Sequence, residues 1–123
     1  MSDRDPAIEK YYSLKPATYK TLESLTLRRV YDQTVSARFD LSIRLVSSLE
    51  PASKCLYLEF EGVRELRIGS IDQIRVHHLM VDIRSISDDQ LENLNYRVVE
   101  NEENAFSFVC NRFKATVELP TVN

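Results

Sequence analysis

The chain carries the stretch VSARFDLSIRLV at residues 35–46, in which apolar and polar side chains alternate as far as Leu45. The apolar parity holds Val35, Ala37, Phe39, Leu41, Ile43 and Leu45. Because successive side chains of a strand point to opposite faces, this stretch predicts a long strand with one apolar and one polar face. Such a strand covers a core on one side only, which is typical of an antiparallel sheet.

Other segments of the chain show similar strand patterns. Strands are predicted over residues 22–31, 56–61, 63–68, 79–84, 96–99 and 105–119. Changes of parity predict a bulge at Arg28–Arg29, a bulge or tight bend after Gly62, and a bulge near Asn111–Arg112. Asp5 and Pro6 can open a helix over Ala7–Ser13, and the capping-box spacing of residues 87–90 predicts a short helix near 88–94.

The order of these elements predicts the fold class. No strand is followed by a crossover helix long enough to build a parallel sheet. We therefore expect a mainly β fold with six or seven antiparallel strands, either a two-layer β-sandwich or a curled sheet with the N-terminal helix packed on it. The expected organisation is a single domain over 1–123, with a helix and linker over 1–20 and the β core over 21–123.

Composition narrows the class of protein. The 123 residues are 43% hydrophobic and 28% charged, which is typical of globular proteins. No run of 18 apolar residues predicts a membrane span, and the polar start of the chain leads us to expect a cytoplasmic protein. In that compartment Cys55 and Cys110 are expected to be free thiols, and Cys110 shares a strand parity with Phe106 and Phe108, which predicts a core position.

Negative charge is concentrated in one segment. The formal net charge is −3, yet residues 88–104 hold six acidic side chains against Arg97 alone, a local balance of −5. No comparable basic cluster is visible along the sequence, so we expect no nucleic-acid partner.

The residue types that carry chemistry do not form a recognisable active site. His77 and His78 are adjacent, so on a strand they would point to opposite faces and could not share a metal ion; one is expected to be half-buried and the other exposed. Glu59 and Glu61 share a strand face about 7 Å apart, but such a pair is more often opposed by cross-strand arginines, for which Arg38 and Arg44 are the candidates here. Two glycines are too few for a phosphate-binding loop. Together with the arrangement of the histidines, this leads us to expect no metal and no cofactor.

The acidic segment and one tyrosine form the predicted contact surface. Tyr57 lies on the polar parity of its strand beside Glu59 and Glu61, although it could instead pack under the N-terminal helix. A negative patch steers a basic partner and speeds its encounter. The hypothesis is a surface for another protein, basic in character, that includes Asp88, Asp89, Glu92, Glu100, Glu102, Glu103 and Tyr57.

Two stretches of the chain resemble a known group of proteins. Residues 58–68, LEFEGVRELRI, are similar to the F-x-G-V-x-x-L-x-I strand pair of small bacterial immunity proteins of polymorphic toxin systems and related antiparallel β domains. Residues 106–110, FSFVC, are similar to a terminal F-x-C strand of that group. The resemblance covers about half of the chain and implies a non-catalytic protein that masks a toxin by binding it.

The leading functional prediction is thus a non-catalytic protein-binding module. One alternative is a small-ligand-binding domain or enzyme with a cleft between the sheet and the N-terminal helix. Another is a self-associating structural protein that pairs a sheet edge with a second copy of itself.

Overall fold

The computed structural model describes residues 5–31, 38–47, 53–70, 72, 77–86 and 95–118. Within them the chain forms one α-helix, α1 (Pro6–Ser13), followed by a 3-10 turn over Pro16–Thr18. Eight strands follow: β1 (Thr21–Val30), β2 (Arg38–Val46), β3 (Cys55–Glu61), β4 (Arg64–Ile68), β5 (Val81–Ser85), β6 (Tyr96–Glu100), β7 (Phe106–Cys110) and β8 (Arg112–Glu118). The helix predicted near 88–94 lies outside the described residues.

The strands form two antiparallel sheets that enclose one core. The first sheet has the order β1-β2-β3-β8 and the second the order β4-β7-β6-β5. Phe60 of the first sheet and Phe108 of the second meet edge to face, with ring centroids 4.8 Å apart. Of the two predicted architectures, the structure is therefore the two-layer β-sandwich.

The alternating stretch that predicts the fold is a central strand of the first sheet. Leu41, Ile43 and Leu45 of β2 are fully buried, and burial of each such side chain contributes roughly 1.5–3 kcal/mol. Phe39 has the same parity but is 42% exposed. Residues 35–37 of the predicted strand lie outside the described residues.

Two parity changes in the sequence are the points at which the chain passes from one sheet to the other. Gly62 connects β3 to β4 at a φ of 68°, a conformation that favours glycine, and a Cβ there would lie 3.1 Å from the Asn111 Cβ. Asn111 connects β7 to β8, and its N–H donates to the Glu61 carbonyl at 2.9 Å. The predicted single strand over 105–119 is therefore two strands in different sheets, and the described residues form eight strands where six or seven are predicted.

The bulge in β1 occurs at a different position from the predicted one. Arg28 and Arg29 keep a regular register opposite Asp40 and Phe39. The register shifts instead between Leu22 and Ser24. The residue between them, Glu23, accepts a hydrogen bond from Arg44 at 3.1 Å, so an ion pair across the strands accompanies the extra residue.

Helix α1 covers one side of the sandwich. The Asp5 side chain accepts hydrogen bonds from the Ala7 and Ile8 N–H groups, which confirms the predicted N-cap. The helix packs against the edge strands β8 and β5. The buried Tyr11 hydroxyl donates to the Val81 carbonyl, and the Tyr12 hydroxyl accepts from the Ile83 N–H at 3.2 Å. These contacts satisfy backbone groups along the outer edge of β5 and protect it from pairing with another strand.

Both cysteines are free and buried, as predicted. Cys110 lies in the core with Phe106 and Phe108, and burial raises the pKa of its thiol to about 12. Burial also raises the pKa of the Cys55 thiol. Neither thiol is a reactive nucleophile at neutral pH, because the thiolate is the reactive form.

Candidate functional site

The two histidines lie in a turn before β5, not on a strand. His77 and His78 are both exposed, so the expectation that one is half-buried is wrong. The strand-parity argument does not apply to residues in a turn. Across the described residues, no group of three histidine, cysteine or carboxylate side chains is arranged to hold a metal ion.

The carboxylates on the outer face of β3 are opposed by basic residues. Glu61 lies 3.6 Å from Arg38 and 3.9 Å from Arg112, and Glu59 is in register with Lys114. Arg38 thus opposes this pair as predicted, whereas Arg44 binds Glu23 and Glu118 at 3.1 and 3.0 Å. A depression of about 190 Å³ beside Glu59 and Glu61 is smaller than a typical ligand site.

Tyr57 lies on this outer face of the first sheet. Its ring is 5.4 Å from the guanidinium carbon of Arg44, and its hydroxyl donates to the Ser42 Oγ at 3.3 Å. The side chain is half-buried. Because α1 packs on β8 and β5, the alternative position of Tyr57 beneath that helix is not the one adopted.

Glu100 is an internal residue. Its side chain is fully buried at the end of β6, and its carboxylate accepts four backbone hydrogen bonds. The donors are the N–H groups of Met80, Glu102, Glu103 and Ala105, at 3.0, 2.8, 2.9 and 2.9 Å. Glu100 therefore organises the β6–β7 turn and cannot contribute to an exposed acidic surface, which corrects its place in the predicted contact set.

Among the described members of the predicted contact set, the turn residues Glu102 and Glu103 lie apart from Tyr57. Glu102 is exposed in the β6–β7 turn, where it lines a depression of about 320 Å³ with Lys20 and His78. Glu103 is in the same turn, while Tyr57 belongs to the other sheet. The remaining predicted residues, Asp88, Asp89 and Glu92, lie outside the described residues.

The outer face of the second sheet carries a cluster of arginines. Arg84 of β5 lies directly opposite Arg97 of β6. Arg97 lies opposite Val109 of β7, and Val109 lies opposite Arg64 of β4. Arg67 projects from the same face, because its register partner Ser107 has the same parity as Val109. We call these four side chains, Arg64, Arg67, Arg84 and Arg97, the arginine face.

The arginine face has no carboxylate partner in the described part of the chain. Asp82 has the parity of this face, and the Tyr12 hydroxyl donates to its Oδ1 at 3.4 Å. The cluster cannot be recognised in the sequence, because the four arginines are spread over 34 positions and three strands. Only the register of β4, β5 and β6 around β7 brings them to one face.

Comparison with known proteins identifies a family. A family model described as Immunity protein PIM8 matches residues 4–116 of the chain. Comparison with curated proteins and with solved structures found no significant match. In the described residues no helix is long and apolar enough to cross a membrane.

Proposed function

Because the chain belongs to the Immunity protein PIM8 family, we propose that it binds a protein toxin and masks it without catalysing a reaction. The family match over residues 4–116 is the observation that carries this proposal. It includes every described strand except the end of β8.

The geometry of the described residues supports protein binding over small-molecule chemistry. Two depressions lined by described residues measure about 190 and 320 Å³, below and at the lower end of typical ligand pockets. The carboxylates nearest the smaller one are opposed by arginines and a lysine. The outer faces of the two sheets, by contrast, carry exposed charged side chains that a protein partner can contact, such as Glu59 and Lys114 on the first and Arg64 and Arg84 on the second.

The compartment we propose is the cytoplasm. Cys55 and Cys110 are both reduced and buried, which suits a reducing environment. The toxin would then be bound inside the cell that carries the chain.

For the contact itself, we retain a hypothesis of basic toxin residues at the β6–β7 turn. Glu102 and Glu103 present carboxylates there, and Asp88, Asp89 and Glu92 extend the acidic sequence. Tyr57 stays in the hypothesis as a separate contact on the first sheet. Double charge reversal, Glu102→Lys with Glu103→Lys, should weaken binding of a basic patch and flatten its salt dependence.

The test starts from the genes beside that of this chain: a neighbouring gene for a large toxin-like protein supplies the candidate, and its toxin domain is expressed. Its expression alone should stop growth, and co-expression of the chain should restore growth and yield a complex that co-purifies. Glu59→Lys, a charge reversal on the other sheet two residues from Tyr57, separates the turn contact from the Tyr57 contact. Growth arrest that persists despite full expression of the folded chain, with no complex by gel filtration, would show that the proposed function is wrong.

A further inference from the structure

We propose that the arginine face is a docking surface for carboxylates of the toxin, and this proposal rests on the proposed function. The arginine face places four guanidinium groups on one side of one sheet. Guanidinium groups bind carboxylates in a two-pronged geometry and are enriched at protein interfaces. The partner surface is therefore expected to be rich in Asp and Glu where it meets this sheet.

The geometry concentrates the positive charge. Directly opposed residues such as Arg84 and Arg97 have Cβ atoms about 5 Å apart. Arg64 lies two strands from Arg97 in the same row, which is about 9.5 Å. Arg64, Arg67 and Arg84 are exposed and Arg97 is half-buried, whereas Val109, between Arg97 and Arg64 in this row, is fully buried with Ile86. The accessible charged groups therefore lie on the two sides of Val109.

Among the described residues, this arrangement of like charges is unfavourable for stability. Like charges directly opposite each other across two strands are destabilising. The usual remedy is a carboxylate between them, yet the described residues supply none within ion-pair distance of the four arginines. Carboxylates of a bound partner would remove the repulsion, so the charge pattern suits a complex better than the free chain.

The position of the β6–β7 turn favours a protein over a nucleic acid as the occupant. Glu102 is five residues from Arg97, so their Cα atoms lie at most about 17 Å apart. A phosphate backbone that covered the arginine face would approach the carboxylates of this turn and be repelled. A protein can place acidic residues on the arginines and basic residues near Glu102, so it can match both ends of the surface.

The experiment measures the affinity of the toxin domain for the whole chain at two salt concentrations. The test variants are the pairs R84Q/R97Q and R64Q/R67Q, which keep most of the side-chain length and remove charge. R28Q is the matched control. Arg28 is an exposed arginine of β1, which belongs to the other sheet, and it forms no ion pair with the described residues. We expect each pair to weaken binding at least about tenfold and to flatten its salt dependence, whereas R28Q changes the affinity by less than about twofold.

Thermal unfolding checks that the variants are folded. R84Q/R97Q should melt no lower than the unmodified chain, because it removes opposed like charges. A loss of affinity at unchanged or higher melting temperature supports a binding role, since a merely structural role would lower both.

The remaining outcomes are distinct. If the unmodified chain binds the toxin domain and both pairs bind it equally well, the arginine face is not the docking surface and the proposed function stands. If the unmodified chain neither binds nor protects, the proposed function fails and this proposal falls with it. If the pairs lose binding only to a 20-base-pair DNA duplex, the surface serves nucleic acid and the proposal is overturned.

Discussion

Replacement of Glu100 is the most direct test of how the β6–β7 turn is built. Glu100→Ala removes the acceptor of four backbone N–H groups, of which that of Ala105 is buried and those of Met80, Glu102 and Glu103 are partly buried. A hydrogen bond to a charged group contributes about 1.5–3 kcal/mol to stability. A buried N–H group that loses its acceptor costs its full desolvation free energy, because no water replaces the acceptor. Water can replace part of the bonds to the other three donors.

These contributions give an expected loss of about 4 kcal/mol in the free energy of unfolding. About 2 kcal/mol comes from the buried Ala105 N–H and somewhat under 1 kcal/mol from each of the other three donors. For a chain of this length that loss lowers the melting temperature by about 15 °C, since the unfolding entropy is about 2.1 cal/mol/K per residue. The free energy of unfolding of Glu100→Gln should lie between those of the unmodified chain and Glu100→Ala. Its amide oxygen can still accept hydrogen bonds, but its amide nitrogen cannot replace the second carboxylate oxygen as an acceptor.

Urea denaturation followed by circular dichroism measures the difference. Glu102→Ala is the control, because it removes an exposed carboxylate from the same turn and leaves the Glu102 N–H bonded to Glu100. It should change the free energy of unfolding by less than about 0.5 kcal/mol. A Glu100→Ala protein within about 1 kcal/mol of the unmodified chain would refute the assignment of Glu100 as an internal residue, and Glu100→Gln gives the answer if the alanine variant does not fold.

Two further predictions follow from perturbed ionisation. Cys55 and Cys110 should react with Ellman's reagent only after unfolding, because both thiols are buried with raised pKa values; fast reaction of either in the native protein at pH 8 would contradict this. Desolvation and a hydrogen bond to Asp5 raise the pKa of Tyr96 from 10.0 to about 12. The folded state therefore holds the hydroxyl proton more tightly than the unfolded state does. The resulting contribution to stability is complete below pH 10 and is lost as the pH rises toward 12. Tyr96→Phe should therefore show a shallower loss of stability over that range in urea titrations, and a slope equal to that of the unmodified chain would refute the prediction.

The fold could be predicted where one face of an element is buried. The parity of Leu41, Ile43 and Leu45 identified the inner face of β2, and Asp5 identified the start of α1, because both signals depend on local geometry. The number of strands could not be predicted in the same way. A parity change looks the same in sequence whether the strand bulges, as at Glu23, or crosses to another sheet, as at Asn111.

The candidate surfaces show the same limit in terms of charge. A window of sequence counts Glu100 as one of six acidic residues, yet its carboxylate is saturated with backbone hydrogen bonds inside the protein. The same count over residues 88–104 treats Arg97 as a single positive charge among six negative ones. In the fold, Arg97 lies beside Arg84 and in the same row as Arg64. Charge per segment therefore overstated the acidic surface and concealed the basic one.

The two surfaces together make a stronger statement about the partner than either does alone. The arginine face and the β6–β7 turn belong to the same sheet, and the Cα atoms of Arg97 and Glu102 lie at most about 17 Å apart. A partner that matches both must carry a carboxylate-rich patch next to a basic one, which restricts the choice more than overall attraction to an acidic or basic protein does. The net charge of the whole chain is only −3, so under the two proposals selectivity would depend on the pattern of charges across the sheet and not on their sum.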